Sequence, residues 1–108
     1  MLADFQFHHI GIAVKDIKAT SAIYEGGGYK PSTIIYDPIQ NVDICWLTKD
    51  DSPTLELLAP VNENSPVNNI LEKNGVSPYH TCYVVKDIQE AISELRKQKY
   101  VMISKPAE

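Results

Sequence analysis

Two cysteines in 108 residues cannot build a disulfide framework. Without a segment that reads as a secretory signal, Cys45 and Cys82 are expected to be buried thiols. No apolar run approaches the roughly 18 residues a membrane span needs, which argues against a membrane protein. The start, MLADFQFHHI, shows no basic segment followed by an apolar one, so the cytoplasm is the expected location. The ten Lys and Arg are scattered and the net charge is −4, so the basic patch of a nucleic-acid partner is missing. What remains is ordinary: 44% hydrophobic and 22% charged residues suit one soluble globular domain with a modest core.

What is present is a repeat. His9-Ile-Gly-Ile-Ala-Val14-Lys15-Asp16-Ile17 reads H-x-x-x-x-V-K-D-I, and His80-Thr-Cys-Tyr-Val-Val85-Lys86-Asp87-Ile88 reads the same, 71 residues later. The same offset carries Tyr29 onto Tyr100. Matching local structure is expected around both copies. Residues 5–14 are rich in Phe, Ile and Val and read as a strand. Asp16 is a helix N-cap, Ile17, Thr20, Ser21 and Tyr24 recur at helical spacing, and Gly26-Gly27-Gly28 ends the helix. In the second copy Asp87 caps, Glu90 follows at capping-box distance, and Ile88, Ala91, Ile92 and Leu95 form an apolar stripe.

Three strand-like runs, 30–36, 42–48 and 54–59, lie between the copies. A linker and a short helix follow, with Ser65 as cap, Pro66 at the first position and Asn74-Gly75 as the stop. The expected fold is α+β, built from paired βαβββ modules. The first module spans 1–61, a linker with a short helix 62–78, and the start of a second module 79–108, which is truncated after strand, helix and the beginning of a strand. An unfinished sheet leaves backbone unpaired at its edge. A second copy of the chain, as a homodimer, is one way to cover it.

Period-two alternation places His9 with Phe7, Gly11 and Ala13, Glu56 with Thr54 and Leu58, and His80 with Cys82 and Val84. Each polar group is central in a largely apolar strand. A carboxylate among Leu55, Leu57 and Leu58 is costly unless paired or bound to metal. A lone strand histidine more often packs or hydrogen-bonds than ligates. His9 and His80, however, occupy the same slot of a repeat, and pseudo-twofold symmetry brings equivalent strands together. Two imidazoles and a carboxylate suit one divalent metal ion, Zn, Ni, Co, Fe or Mn. His8, next to His9, is expected on the opposite face as a structural or exposed residue. Gln40 and Asp43 near the start of the third strand of the chain, 42–48, are candidates to line a cleft, though solvated turn residues are commoner there. Trp46 is a candidate pocket wall or core residue. Neither Cys45 nor Cys82 has an activating partner in sequence.

Phe7-His-His-Ile-Gly-Ile-Ala-Val-Lys-Asp-Ile17 resembles the opening strand of methylmalonyl-CoA epimerases and related glyoxalase-like proteins of the vicinal oxygen chelate superfamily. Tyr36-Asp-Pro-Ile-Gln-Asn-Val42, Leu55-Glu-Leu-Leu-Ala-Pro60, Ser65-Pro66, Tyr79-His80 and Val84-Val-Lys-Asp-Ile88 extend the likeness over nearly the whole chain. The resemblance implies a metal cup with His9, Glu56 and His80 as three ligands. It implies a fourth, a Glu of the second module that also serves as base, 71 residues after Glu56 and so beyond Glu108. It implies a small-molecule substrate such as an acyl-thioester, whose α-proton is removed while the metal stabilises the enolate. Asp43 is the one weak candidate for a second base, and would need a register shift to serve. Lys15, Lys30 and Lys49 are the basic residues that coenzyme A would call upon. Lactoylglutathione lyase (glyoxalase I) chemistry is the alternative. A non-haem iron dioxygenase and a metal-free binding protein are further ones.

Overall fold

The computed structural model describes residues 6–98. Nine elements follow one another: β1 (Gln6–Ala13), α1 (Ile17–Gly26), β2 (Lys30–Pro31), β3 (Ile35–Asp37), β4 (Val42–Thr48), β5 (Thr54–Pro60), α2 (Val67–Asn74), β6 (Ser77–Val84) and α3 (Ile88–Lys97). The expected strand after α3, and Tyr100 with it, lie outside the described residues. The fold is α+β, with one mixed sheet in the order β2-β4-β5-β1-β6 and β3 paired to β4. β1 runs parallel to β5, while β4 is antiparallel to β5. The described residues divide into two compact units, one spanning 8–82 and one formed by 6–7 with 83–98.

In the first unit, the sequence alternation sorts side chains onto two faces. Ile12, Val14, Ile17, Cys45, Leu47, Leu55, Leu57 and Ala59 form one buried cluster, with Tyr24 and Tyr29 packed against it. α1 covers this side, and it starts where expected: the Asp16 carboxylate accepts from the Ala19 amide at 3.1 Å. At its end Gly28 adopts φ +98°, a conformation that costs glycine little. Lys49 Nζ donates to the Gly27 carbonyl there at 2.8 Å. The other cluster holds Ala13, Val42, Ile44, Leu58, Val67 and Leu71, with Trp46, Ile70 and Tyr79 beside it. α2 lies on this side.

Two local expectations need correction. The run 30–36 is two short strands, not one. Pro31 pairs with Leu47 and Ile35 with Ile44, so the β2–β3 segment carries one more residue than β4 opposite it. Such an insertion is a bulge. Ser32 bridges it, donating its amide to the Trp46 carbonyl at 2.8 Å and accepting the Trp46 amide on its hydroxyl at 2.9 Å. Proline 31 has no amide to continue the ladder itself. Ser65 is not a side-chain cap of α2. Its buried hydroxyl points back and accepts from the amides of Val61 (3.0 Å) and Asn62 (3.4 Å), closing the turn after β5. The helix opens on Pro66 without a capping side chain and stops at Gly75, φ +69°.

In the second unit, Asp87 caps α3 by accepting from Gln89 and Glu90 amides at 3.0 and 3.1 Å. Of the expected stripe, Ala91 is buried, Ile92 and Leu95 are half-buried and Ile88 is exposed. Phe7 and Tyr83 meet edge to face, with ring centroids 5.6 Å apart.

Candidate metal centre

Three neighbouring strands, β5, β1 and β6, each contribute one polar side chain to the α2 face of the sheet. Glu56 comes from β5, His9 from β1 and His80 from β6. The parallel register sets Gly11 beside Glu56 and Thr54 beside His9. Across the antiparallel ladder Trp46 stands opposite Glu56. Gly11 has no side chain, and His80 fills the space. A β-carbon at Gly11 would collide with the His80 ring.

The donor atoms form a nearly equilateral triangle. His9 Nε2 lies 3.1 Å from Glu56 Oε1, His80 Nε2 lies 3.2 Å from the same oxygen, and the two Nε2 atoms are 3.2 Å apart. With metal–ligand bonds of about 2.1 Å, two donors on one ion sit about 3.0 Å apart at right angles and about 3.4 Å apart in a tetrahedron. The observed spacing falls between these limits, so the residues fit a divalent cation without rearrangement. His9 and Glu56 are buried, and His80 keeps a third of its side chain exposed. The centre thus has two buried donors and one that is partly exposed.

Electrostatics favour ligand-ready groups. Burial pushes the His9 imidazole below its ordinary pKa. Glu56 opposes that shift, and the imidazoles of His80 and His8 reinforce it. A neutral His9 keeps a lone pair available at neutral pH. Tyr79, packed below, is pushed up to about 12, first by burial and second by the Glu56 carboxylate.

Trp46 borders the centre: its ring meets His9 edge to face at 4.8 Å. The other sequence candidates lie elsewhere. Asp43 alternates with Cys45 and Leu47 toward the α1 face, and pairs with Ala59. The register shift that would turn it to the metal side is not present, so it shares no face with the trio. Gln40 is exposed in the β3–β4 turn, where its side-chain amide donates to Asp37 Oδ2 at 3.0 Å. Cys45 is a buried free thiol, as expected, whereas Cys82 is free but only half-buried.

His8 is the residue that strict alternation misplaced. It is exposed, but its ring does not leave the face: its Nδ1 is 2.7 Å from His9 Nδ1, and its ring is 6.1 Å from that of Trp46. His8 lies in β1, one residue before the ladder with β5 begins at His9, and its ring turns along the strand toward its neighbour. The ligating atoms of His8, His9 and Cys82 also fall within 4.8 Å of one another. A doubled histidine at the mouth of a strand was the available signal.

Residues 8–108 match the glyoxalase/bleomycin resistance protein/dioxygenase superfamily. The chain belongs to that superfamily. Over 94 residues it is 33% identical to the ethylmalonyl-CoA/methylmalonyl-CoA epimerase of Cereibacter sphaeroides, covering 85% of this chain and 69% of the relative. Over 104 residues it is 28% identical to the mitochondrial methylmalonyl-CoA epimerase of Mus musculus, covering 94% of this chain but only 58% of the mouse protein. A solved methylmalonyl-CoA epimerase in complex with methylmalonyl-CoA and NH4+ superposes with a TM-score of 0.78 at 26% identity, over 94% of this chain and 75% of that one. The superfamily chain therefore carries the glyoxalase-like fold, and its relatives and structural neighbours include epimerases of acyl-CoA thioesters. Among the described residues, no helix is long and apolar enough to cross a membrane.

Proposed function

We propose that this chain holds one divalent metal ion through His9, Glu56 and His80 and serves an epimerase of the methylmalonyl-CoA type, acting on the carbon α to a thioester carbonyl. The observation that carries the reading is the triangle of donor atoms, with sides of 3.1 to 3.2 Å, on one face of the sheet. The epimerase relatives supply the substrate class.

A divalent cation at this centre supplies positive charge that lowers the cost of the negative charge developing on a carbonyl oxygen when the α-proton leaves. The protein's own side chains do the rest. Glu56 gives the centre its carboxylate, and its burial beside His9 and His80 keeps it from being screened by water. Burial favours the neutral form of His9, and both His9 and His80 present Nε2 to the centre. The edge of Trp46 backs His9 and limits how far its ring can swing. The exposed side of His80 is where a substrate oxygen would enter.

The test is calorimetric titration with Co2+, Ni2+ and Zn2+ of the parent chain, His9→Ala and Glu56→Ala. Uptake of one equivalent by the parent and its loss in both variants is expected. Unchanged uptake in both variants refutes the site. Activity is read on the full-length protein, as exchange of the α-proton of methylmalonyl-CoA in heavy water. The methylglyoxal–glutathione adduct, run in parallel, distinguishes epimerase from lactoylglutathione lyase.

A further inference from the structure

We infer that His8 is a positioning residue for His9: its Nδ1 accepts the Nδ1–H of His9 and so holds the tautomer whose Nε2 lone pair faces Glu56 and His80. This rests on the metal-centre reading above and adds a part to it. The two Nδ1 atoms are 2.7 Å apart, so one of them must carry a proton, because two lone pairs would repel at that distance. When His9 Nε2 is given to a cation, the proton of a neutral His9 can only be on Nδ1. His8 Nδ1 is then the acceptor, and its own proton sits on Nε2, toward solvent, where the exposed ring can be hydrated.

A ligating imidazole commonly donates its second N–H to a carboxylate, a carbonyl or water, which fixes both tautomer and ring orientation. Here the partner is another imidazole from the preceding residue. The choice has a consequence for charge. A carboxylate partner would add a second negative charge next to Glu56, whereas an imidazole acceptor orients His9 without adding one. The T-shaped contacts of both rings with Trp46 hold the pair in place, with centroids 4.8 Å from His9 and 6.1 Å from His8.

Two variants separate this role from simple surface packing. His8→Leu keeps bulk and removes the acceptor. His8→Asn keeps an acceptor oxygen close to the position of Nδ1. Because His8 is exposed, both are expected to fold as the parent does, which circular dichroism checks. Calorimetry with Co2+ is expected to show affinity reduced by about tenfold or more in His8→Leu, and returned to near the parent value in His8→Asn. Long-range proton–nitrogen NMR of the Zn2+-loaded protein is expected to show His9 protonated at Nδ1, with that proton exchanging faster with solvent in His8→Leu than in His8→Asn. Parent-like Co2+ affinity in His8→Leu, or equal weakness in both variants, overturns the inference while leaving the metal centre standing. A parent chain that takes up no Co2+ ends both together.

Discussion

The imidazole of His80 stands directly over Gly11, in the volume that a β-carbon at that position would occupy. The glycine is needed here for close approach, not for an unusual backbone angle, since Gly11 lies within the regular β1–β5 ladder. Gly11→Ala should therefore drive His80 away from His9 and Glu56. A destabilisation of about 1–3 kcal/mol is expected from overpacking, with loss of Co2+ uptake well beyond what the same drop in stability causes elsewhere. Urea unfolding and Co2+ calorimetry on the same samples check both parts.

Glu56 is a buried carboxylate shared by two imidazoles. Removing one partner of a buried hydrogen-bonded group costs about 1–3 kcal/mol, because the group left behind is unsatisfied. Glu56→Leu is expected to abolish Co2+ binding and to lower the stability of the metal-free chain by about that amount. Tyr79 should also titrate below the value of about 12 that it has beside the carboxylate. The fall should be partial, because burial is the larger cause of that shift. Denaturation in chelator and ultraviolet titration of the tyrosines read the two effects.

The metal-free protein should weaken on the acid side of neutrality. Burial holds His9 below its ordinary value of 6.5. Between the lowered value and 6.5 the unfolded chain binds more protons at this group than the folded one. Stability therefore rises with pH through that interval and levels off above it. Urea midpoints measured from pH 5 to 8 should show the slope, and His9→Phe should flatten it.

Ser65→Ala should leave the amides of Val61 and Asn62 without their hydroxyl acceptor in an otherwise exposed turn. A cost of about 0.5–1.5 kcal/mol follows, with Co2+ affinity unchanged, because the lesion is in the turn after β5 and not at the centre. Thermal melts and calorimetry together check this.

Much of this was legible in the chain. The repeated H-x-x-x-x-V-K-D-I pointed to His9 and His80 as equivalent positions, and Glu56 stood out as a charge inside a leucine run. Asp16 and Asp87 announced the helices they cap. What escaped were features set by hydrogen bonds between strands. Ser32 takes over pairing duties at a bulge next to Pro31, which periodicity cannot register. Ser65 has the sequence context of a cap, yet nearer amides in the preceding turn claim its hydroxyl. Alternation assigned His8 to the far face, but it fixes only the direction in which a side chain leaves the backbone, and the His8 ring turns back to bring its Nδ1 within 2.7 Å of His9 Nδ1. Gly11 carried a signal in hindsight: a glycine in the middle of an apolar strand marks a place where something else comes close.

The parallel pairing of β1 with β5 has a kinetic consequence. His9 and Glu56 are neighbours only after the chain has closed a loop of more than forty residues, including α1 and three intervening strands, and contacts of that range form late and slowly. The three donors thus cannot reach their spacing before β1 and β5 have paired. An ion that recognises them would meet the native state alone, raising its stability in proportion to the logarithm of free metal. Stopped-flow refolding followed by Co2+ colour would then mark the last step of assembly, and added metal would slow unfolding far more than it hastens folding.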